Sequence, residues 1–273
     1  RFSVTIAVDG DTVMFDFTDS DRQARGPINL RPSMVEACCF YSLIGSLGPE
    51  LQFNDGMRGA VRFVYASNTV TNAEAPAPVS SYQMANLKLV DVILDALSQF
   101  NPVRAVASAG SSSALLISWN DGGRPGQSSL QYEIHGSAYG GGNGIDGANG
   151  TAAHLSNLHI TPIEIIESEF PCRITEFGLI SDSGGRGEYR GGLAMRRRYE
   201  LLQDASVVRR FDMDDMTQIA QPLQKLGRHR RLASHFQPRQ NAPARRIGGD
   251  LNVLPPKLRA QQQLHMTLGL NRA

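Results

Sequence analysis

Apolar and polar residues alternate from Phe2 to Thr18 on both sides of Val8-Asp9-Gly10-Asp11. A period of two around Asp-Gly predicts a β-hairpin, because glycine supplies the positive φ that a tight turn needs. The period lengthens after the turn Arg25-Gly26-Pro27-Ile28-Asn29. Ser33-Met34-Val35-Glu36 fits a helix-starting capping box. Met34, Cys38, Tyr41 and Gly45 then share one helical face. Phe53-Asn54-Asp55-Gly56 is another turn, before a strand over residues 61–67, and residues 68–78 read as loop. Pro76 and Pro78 bar regular structure there. Residues 82–100 give the strongest helix of the chain. Leu87, Val90, Leu94 and Leu97 form one stripe that Leu89, Ile93 and Ala96 widen, the mark of a largely buried helix.

Further strands are expected at residues 103–107, 114–119, 130–137, 173–180, 193–202 and 205–209. These elements do not alternate regularly enough for a doubly wound sheet. They predict an α+β fold with mixed or antiparallel β-sheets, one long buried helix and two or three short helices. Beyond about Phe211 the periodicity fades. Ten Lys/Arg stand against four Asp in the last stretch, with many Gln and Pro. The expected organisation is one domain over residues 1–210 and a divergent, poorly ordered basic tail over residues 211–273. A basic arm docking on an acidic partner is the alternative reading of that tail.

Composition narrows the function classes. A length of 273 residues allows one large or two small domains, and a formal net charge of +1 disfavours a nucleic-acid or membrane-surface protein. No apolar run approaches the roughly 18 residues of a membrane span, so a cytoplasmic protein without a signal peptide is expected. The chain has three cysteines, two of them adjacent at Cys38 and Cys39, which gives neither a disulfide framework nor a CxxC metal pair. Cys38 reads as core packing; a nucleophilic role would require a cationic neighbourhood. The start at Arg1, inside a strand pattern, suggests a piece of a longer protein.

Candidate chemistry concentrates in residues 141–192. Asp146, His154 and Asn157 lie in one glycine-rich stretch that leads into Thr161-Pro162-Ile163-Glu164, an N-cap Thr followed by Pro and Glu. Free N–H groups at such a helix start favour an anion or a polarised carbonyl. His159, directly before the cap, reads as a local contact. Asp182, Arg186 and Arg190 stud the second turn, DSGGRGEYRGG. The arginines suit a phosphate or carboxylate, or a pairing with Asp182 across the turn. Gly142-Asn143-Gly144-Ile145-Asp146-Gly147 matches GxGxxG, but no amphipathic helix opens at its third glycine, so a dinucleotide site is rejected. Ser108-Ala109-Gly110-Ser111-Ser112-Ser113 reads as a flexible turn, or as a ligand-facing loop that lacks the lysine of a phosphate loop. The three carboxylates Asp16, Asp19 and Asp21 suggest cation binding or a solvated turn, and the lack of an EF-hand glycine and terminal Glu favours the turn. Arg196-Arg197-Arg198 reads as a solvated run or a subunit contact.

Asp146-Gly147, His154, Asn157, Thr161-Pro162-Ile163-Glu164, Asp182-Ser183-Gly184-Gly185-x-Gly187 and Arg190-Gly191-Gly192 occur in an order that resembles the hydantoinase B/5-oxoprolinase family. Asp16-Phe17-Thr18 and Arg25-Gly26-Pro27-Ile28-Asn29 extend the resemblance upstream, to roughly residues 1–210. The resemblance implies the C-terminal half of the B-type component of an ATP-dependent cyclic-amide hydrolase. It further implies a hetero-oligomer in which an ATP-binding A-type subunit, using ATP and Mg, phosphorylates the substrate. A divalent metal is expected in the family's preceding half, and none bound by this chain alone. Asp146, His154 and Asn157 are then the expected catalytic residues, and Asp182, Arg186 and Arg190 the expected substrate- or phosphate-binding ones. Three alternatives remain: a non-catalytic structural subunit of such a complex, the related subunit of an ATP-dependent ketone carboxylase, and a degenerate gene product with no activity. Hydantoins, 5-oxoproline, lactams and ketones all remain open as substrates. Only Leu254-Pro255-Pro256-Lys257 resembles the family in the tail, which suggests a frame error or a degenerate end.

Overall fold

The computed structural model describes residues 1–48, 50–110, 112–120, 128–210, 224–226, 231–235 and 264–267. The chain forms two compact units, residues 1–107 with 242–273, and residues 108–241. The tail expected over residues 211–273 therefore falls mostly outside the described residues.

In the first unit, β1 (Ser3–Asp9) and β2 (Thr12–Asp16) make the expected hairpin, pairing antiparallel from Thr5 with Asp16 to Asp9 with Thr12. Gly10 takes φ +57° in its turn, a value that a side chain at this position would resist. Strand β3 (Val61–Val64) runs parallel to β2, and β11 (Leu264–Thr267) pairs antiparallel with β1, so the sheet order is β11-β1-β2-β3. Two long helices pack together beside it: α1 (Pro32–Leu47) and α3 (Tyr82–Ser98). The short α2 (Asp55–Gly59) carries a real cap, the Met57 N–H donating to Asn54 Oδ1 at 3.0 Å.

Helix α1 has 16 residues beside the 17 of α3, the helix expected over residues 82–100. It corrects the sequence reading in two ways. It begins at Pro32 after Arg31, with no side-chain cap, so Ser33 does not form the capping box. Proline at the first helical position presets φ and lacks only an N–H that would be unpaired anyway. Its buried residues are Val35, Cys38, Cys39, Phe40, Ser42, Leu43 and Ser46, while Gly45 is exposed. Cys38 is fully buried, as core packing requires, and that burial pushes its thiol up to about 12, away from the thiolate form. The strand expected at residues 103–107 is instead a 3-10 turn at Pro102–Arg104, opened by another proline at its start.

The second unit carries the candidate residues. Strands β4 (Ser113–Asn120), β5 (Ser128–His135), β8 (Ala205–Arg210) and β9 (Gln224–Leu226) form an antiparallel sheet in the order β5-β4-β8-β9. Strands β6 (Cys172–Leu179), β7 (Met195–Leu201) and β10 (Arg231–His235) form another, in the order β10-β7-β6. Their shared core contains Leu115, Ile117 and Trp119 from β4, Tyr199 and Leu201 from β7, Cys172 from β6, and Ala205 and Val207 from β8. Ile166 of α4 (Ile163–Glu169) completes it. Each large aliphatic side chain buried there contributes about 1.5–3 kcal/mol. No helix among the described residues is long and apolar enough to cross a membrane.

Candidate functional site

Two glycine-rich loops of the second unit are joined backbone to backbone. One follows β5, and the other connects β6 to β7. The Gly147 N–H donates to the Arg190 carbonyl at 2.8 Å, and the Gly192 N–H to the Tyr139 carbonyl at 2.9 Å. Such an approach leaves no room for side chains. A Cβ on Gly147 would overlap the Tyr139 carbonyl oxygen, and one on Gly192 the Ala148 carbonyl oxygen. A Cβ on Gly141 would stand 2.6 Å from the Tyr189 carbonyl oxygen. The glycines are therefore demanded by packing, and the GxGxxG match is part of this joint. Gly142 and Ile145 bridge each other across a turn, with no helix following.

Polar side chains complete the joint. Asp146 Oδ1 accepts the Arg190 N–H at 2.7 Å, and Asn149 Oδ1 accepts the Leu193 N–H at 2.6 Å. Ser183 Oγ accepts the Ala194 N–H at 2.8 Å and donates to the Ile180 carbonyl at 2.7 Å. The Arg190 guanidinium donates to Asp182 Oδ1 at 2.6 Å. That hydrogen bond, reinforced by the charge of Arg190 and more weakly by Arg186, holds the Asp182 carboxyl below its usual range. The structure thus pairs Arg190 with Asp182 across the turn and brings the Asp146 carboxylate to the Arg190 backbone. Arg186 lies exposed on the same turn.

His154 and Asn157 lie on the adjoining loop, which runs from the Asp146 stretch to α4. Tyr139 ties that loop to the joint: its hydroxyl accepts the His154 N–H at 2.8 Å, and its ring meets the imidazole edge-on at 5.6 Å. His154 is buried and Asn157 exposed; both are left-handed, at φ +53° and +40°. Helix α4 starts one residue later than expected, with Pro162 at the cap position and no side-chain cap from Thr161. A helix this short offers little dipole, so the anion-attracting helix start is not a feature of the site.

Sequence reasoning missed a buried ionic network a short distance along the same strands. The Arg197 guanidinium donates to Glu133 Oε2 at 2.6 Å, with both residues more than nine-tenths buried. The Tyr199 hydroxyl donates to the same oxygen at 3.1 Å, and His135 Nε2 lies 3.0 Å from that hydroxyl. The Gln131 amide donates to Glu133 Oε1. Burial pushes the Glu133 carboxyl up, but His135, Arg197 and Gln131 together pull it lower, to a net value below its usual range. Burial and the nearby Glu133 charge drive the Tyr199 phenol upward. Cys172, whose thiol contacts Gln131 at 3.8 Å, is pushed up to about 12 by burial and by Glu133 and Glu167. The arginine run is therefore not uniformly solvated. Arg196 and Arg198 pair with Glu176 on the outer side, while Arg197 points inward. The readable signal was the period of two in Met195-Arg196-Arg197-Arg198-Tyr199-Glu200-Leu201, which puts Arg197 on the face of Met195, Tyr199 and Leu201.

The family model described as Hydantoinase B/oxoprolinase matches residues 1–218. The chain belongs to the hydantoinase B/oxoprolinase family. It is similar to an uncharacterized protein, MJ0963, of Methanocaldococcus jannaschii, at 36% identity over 75% of this chain and 35% of that protein. It is also similar to the B component of a putative D-/L-hydantoinase of a Pseudomonas species, at 28% identity over 76% of this chain and 36% of that protein. Its fold is similar to that of the ATP-dependent caprolactamase of Pseudomonas jessenii, with a TM-score of 0.65 and 25% identity, covering 76% of this chain and 37% of that one. The chain thus spans about a third of the length of these relatives. Both glycine loops, the His154 loop and the Glu133–Arg197 network lie inside the matched region of this family member. Among its described residues, no cluster of three or more His, Cys, Asp or Glu side chains could hold a metal ion.

Proposed function

We propose that this chain is part of a B-type subunit that hydrolyses a cyclic amide after an ATP-binding A-type subunit has phosphorylated the amide oxygen. The observation that carries this reading is the family match over residues 1–218, together with relatives named as a hydantoinase component and an ATP-dependent caprolactamase. The chemistry is coherent. A cyclic amide carbonyl is a poor electrophile, and O-phosphorylation makes its carbon open to water. Water adds, the C–N bond breaks with a proton delivered to nitrogen, and the resulting acyl phosphate is hydrolysed by a second water to carboxylate and phosphate. His154 is the candidate proton carrier in this scheme, and Asn157 a candidate hydrogen-bonding partner of the intermediate. Asp146, Asp182 and Arg190 hold the loops in register, and the exposed Arg186 is the candidate phosphate contact. Mg and ATP act on the A-type subunit in this scheme.

One observation favours a second reading, a non-catalytic structural subunit. Asp146, Asp182 and Arg190 all bond within the loop joint itself. The deciding experiment reconstitutes the full B-type polypeptide with its A-type partner and follows ATP-dependent opening of 5-oxoproline, hydantoin and caprolactam. His154→Ala is expected to lower turnover at least ~100-fold, the usual scale of acid–base catalysis, with assembly intact. Unchanged turnover in an assembled His154→Ala complex would establish the structural reading instead.

A further inference from the structure

The loop that carries His154 and Asn157 has an anchor near each end. At its start, the Tyr139 hydroxyl holds the His154 N–H at 2.8 Å. At its far end, the Arg197 guanidinium reaches the Thr161 carbonyl at 3.5 Å, just before α4. Arg197 is itself held firmly. Its other nitrogen is 2.6 Å from Glu133 Oε2, and its guanidinium lies over the Phe177 ring at 4.5 Å from the centroid. Glu133 is fixed in turn by Tyr199 and Gln131. A guanidinium has the fork of donors to face a carboxylate and a carbonyl together, and its planarity allows stacking on a ring. A lysine at the same position has neither feature.

A buried ion pair is weak evidence for stability, because hydrophobic residues of similar volume often serve as well. The Glu133–Arg197 pair has a feature that a hydrophobic pair would lack: a donor directed at the backbone of the candidate loop. We propose that Arg197, oriented by Glu133, is a positioning residue that fixes the far end of the His154–Asn157 loop through the Thr161 carbonyl. The inference rests on the reading of this loop as part of the functional site. It assigns to the network a role in site geometry and no contact with substrate.

The test is amide hydrogen exchange on the full chain, with the imidazole resonances of His154 followed by NMR and assigned by their absence in His154→Ala. Arg197→Met alone leaves a buried carboxylate unpaired and is prone to unfold, so it is made together with Glu133→Gln. Arg197→Lys is the second variant, keeping the charge without the fork. In Glu133→Gln/Arg197→Met, residues 155–161 are expected to exchange about tenfold faster or more, the scale of losing a hydrogen bond to a charged donor, while β4 stays protected. The His154 resonances are expected to move in the same variant. Arg197→Lys should give a partial version of both changes. Wild-type exchange over residues 155–161 and an unmoved His154 signal, in either folded variant, would overturn the proposal. Faster exchange spread equally through β4 would overturn it as well, because the pair would then serve the core alone. Turnover in His154→Ala separately judges the catalytic reading. A loosened loop beside an active His154→Ala complex would mean that the clamp is real and the loop is not catalytic.

Discussion

His154, Asn157 and Asp182 share left-handed backbone, at φ +53°, +40° and +56°. Histidine, asparagine and aspartate are the non-glycine residues that enter this region most readily. Their identities therefore have two candidate causes, chemistry and conformation, and substitution can separate them at Asn157, which is exposed. Asn157→Ala keeps a Cβ and loses the local bonding that makes left-handed asparagine tolerable, so it is expected to lower stability by about 1 kcal/mol. Asn157→Gly accepts the backbone freely and should stay within a few tenths of a kcal/mol of wild type. Both variants remove the carboxamide. If that group meets the intermediate, both lose turnover to a similar degree despite their different stabilities. Denaturant melts and steady-state assays on the two variants decide the matter, and full activity in Asn157→Gly would assign the residue to conformation.

At the scale of elements, the glycine joint was legible in part. A concentration of glycines with few polar side chains indicated backbone pressed against something, and two interlocked loops are what that proved to be. Their mutual partners were not readable, because hydrogen bonds between loops that distant in sequence follow no local period. The same limit hid the ionic network. In Leu130-Gln131-Tyr132-Glu133-Ile134-His135, a two-residue period normally sends the apolar set inward. Here Gln131, Glu133 and His135 are buried, and Leu130 and Tyr132 are exposed. The inversion makes sense only beside Arg197 and Tyr199 of β7, which supply the partners that burial of those groups requires. The joint itself makes a sharp prediction. Gly147→Ala drives a Cβ into the Tyr139 carbonyl and to within 2.7 Å of the Gly192 nitrogen, both backbone atoms that cannot rotate aside. It is expected to destabilise the second unit by about 3 kcal/mol or more, at the top of the usual overpacking range. By contrast, Gly144→Ala meets no atom within 4 Å and bears only the strain of φ +83°. Equal thermal shifts for the two variants would contradict the close-packing account.

Across the whole molecule, the hairpin, the residue 82–100 helix and the α+β class were legible because each rests on a strong local period. The division into two units was not, since it depends on which elements close a core together. That division supplies a selective probe. Trp119 is the single tryptophan of the chain, buried in the same core as Tyr199 of the second unit. Its fluorescence therefore reports the unit that contains the Glu133–Arg197 pair. The folded Glu133 carboxyl lies below its ordinary value of 4.5. Its stabilisation is thus fully present above that value and is lost as pH falls through the lower folded one. At pH 7, Glu133→Gln is expected to cost about 3 kcal/mol, because the Arg197 charge stays buried without its counter-ion. In acid, wild-type Glu133 is protonated and presents Arg197 with a partner as neutral as the amide of the Glu133→Gln variant. The two stability curves should therefore converge below pH 4.5. Urea melts read at Trp119 from pH 7 downward measure the gap. A gap that stays constant through the acid range would show that the carboxylate charge contributes nothing to holding Arg197, and the network would then be a matter of shape alone.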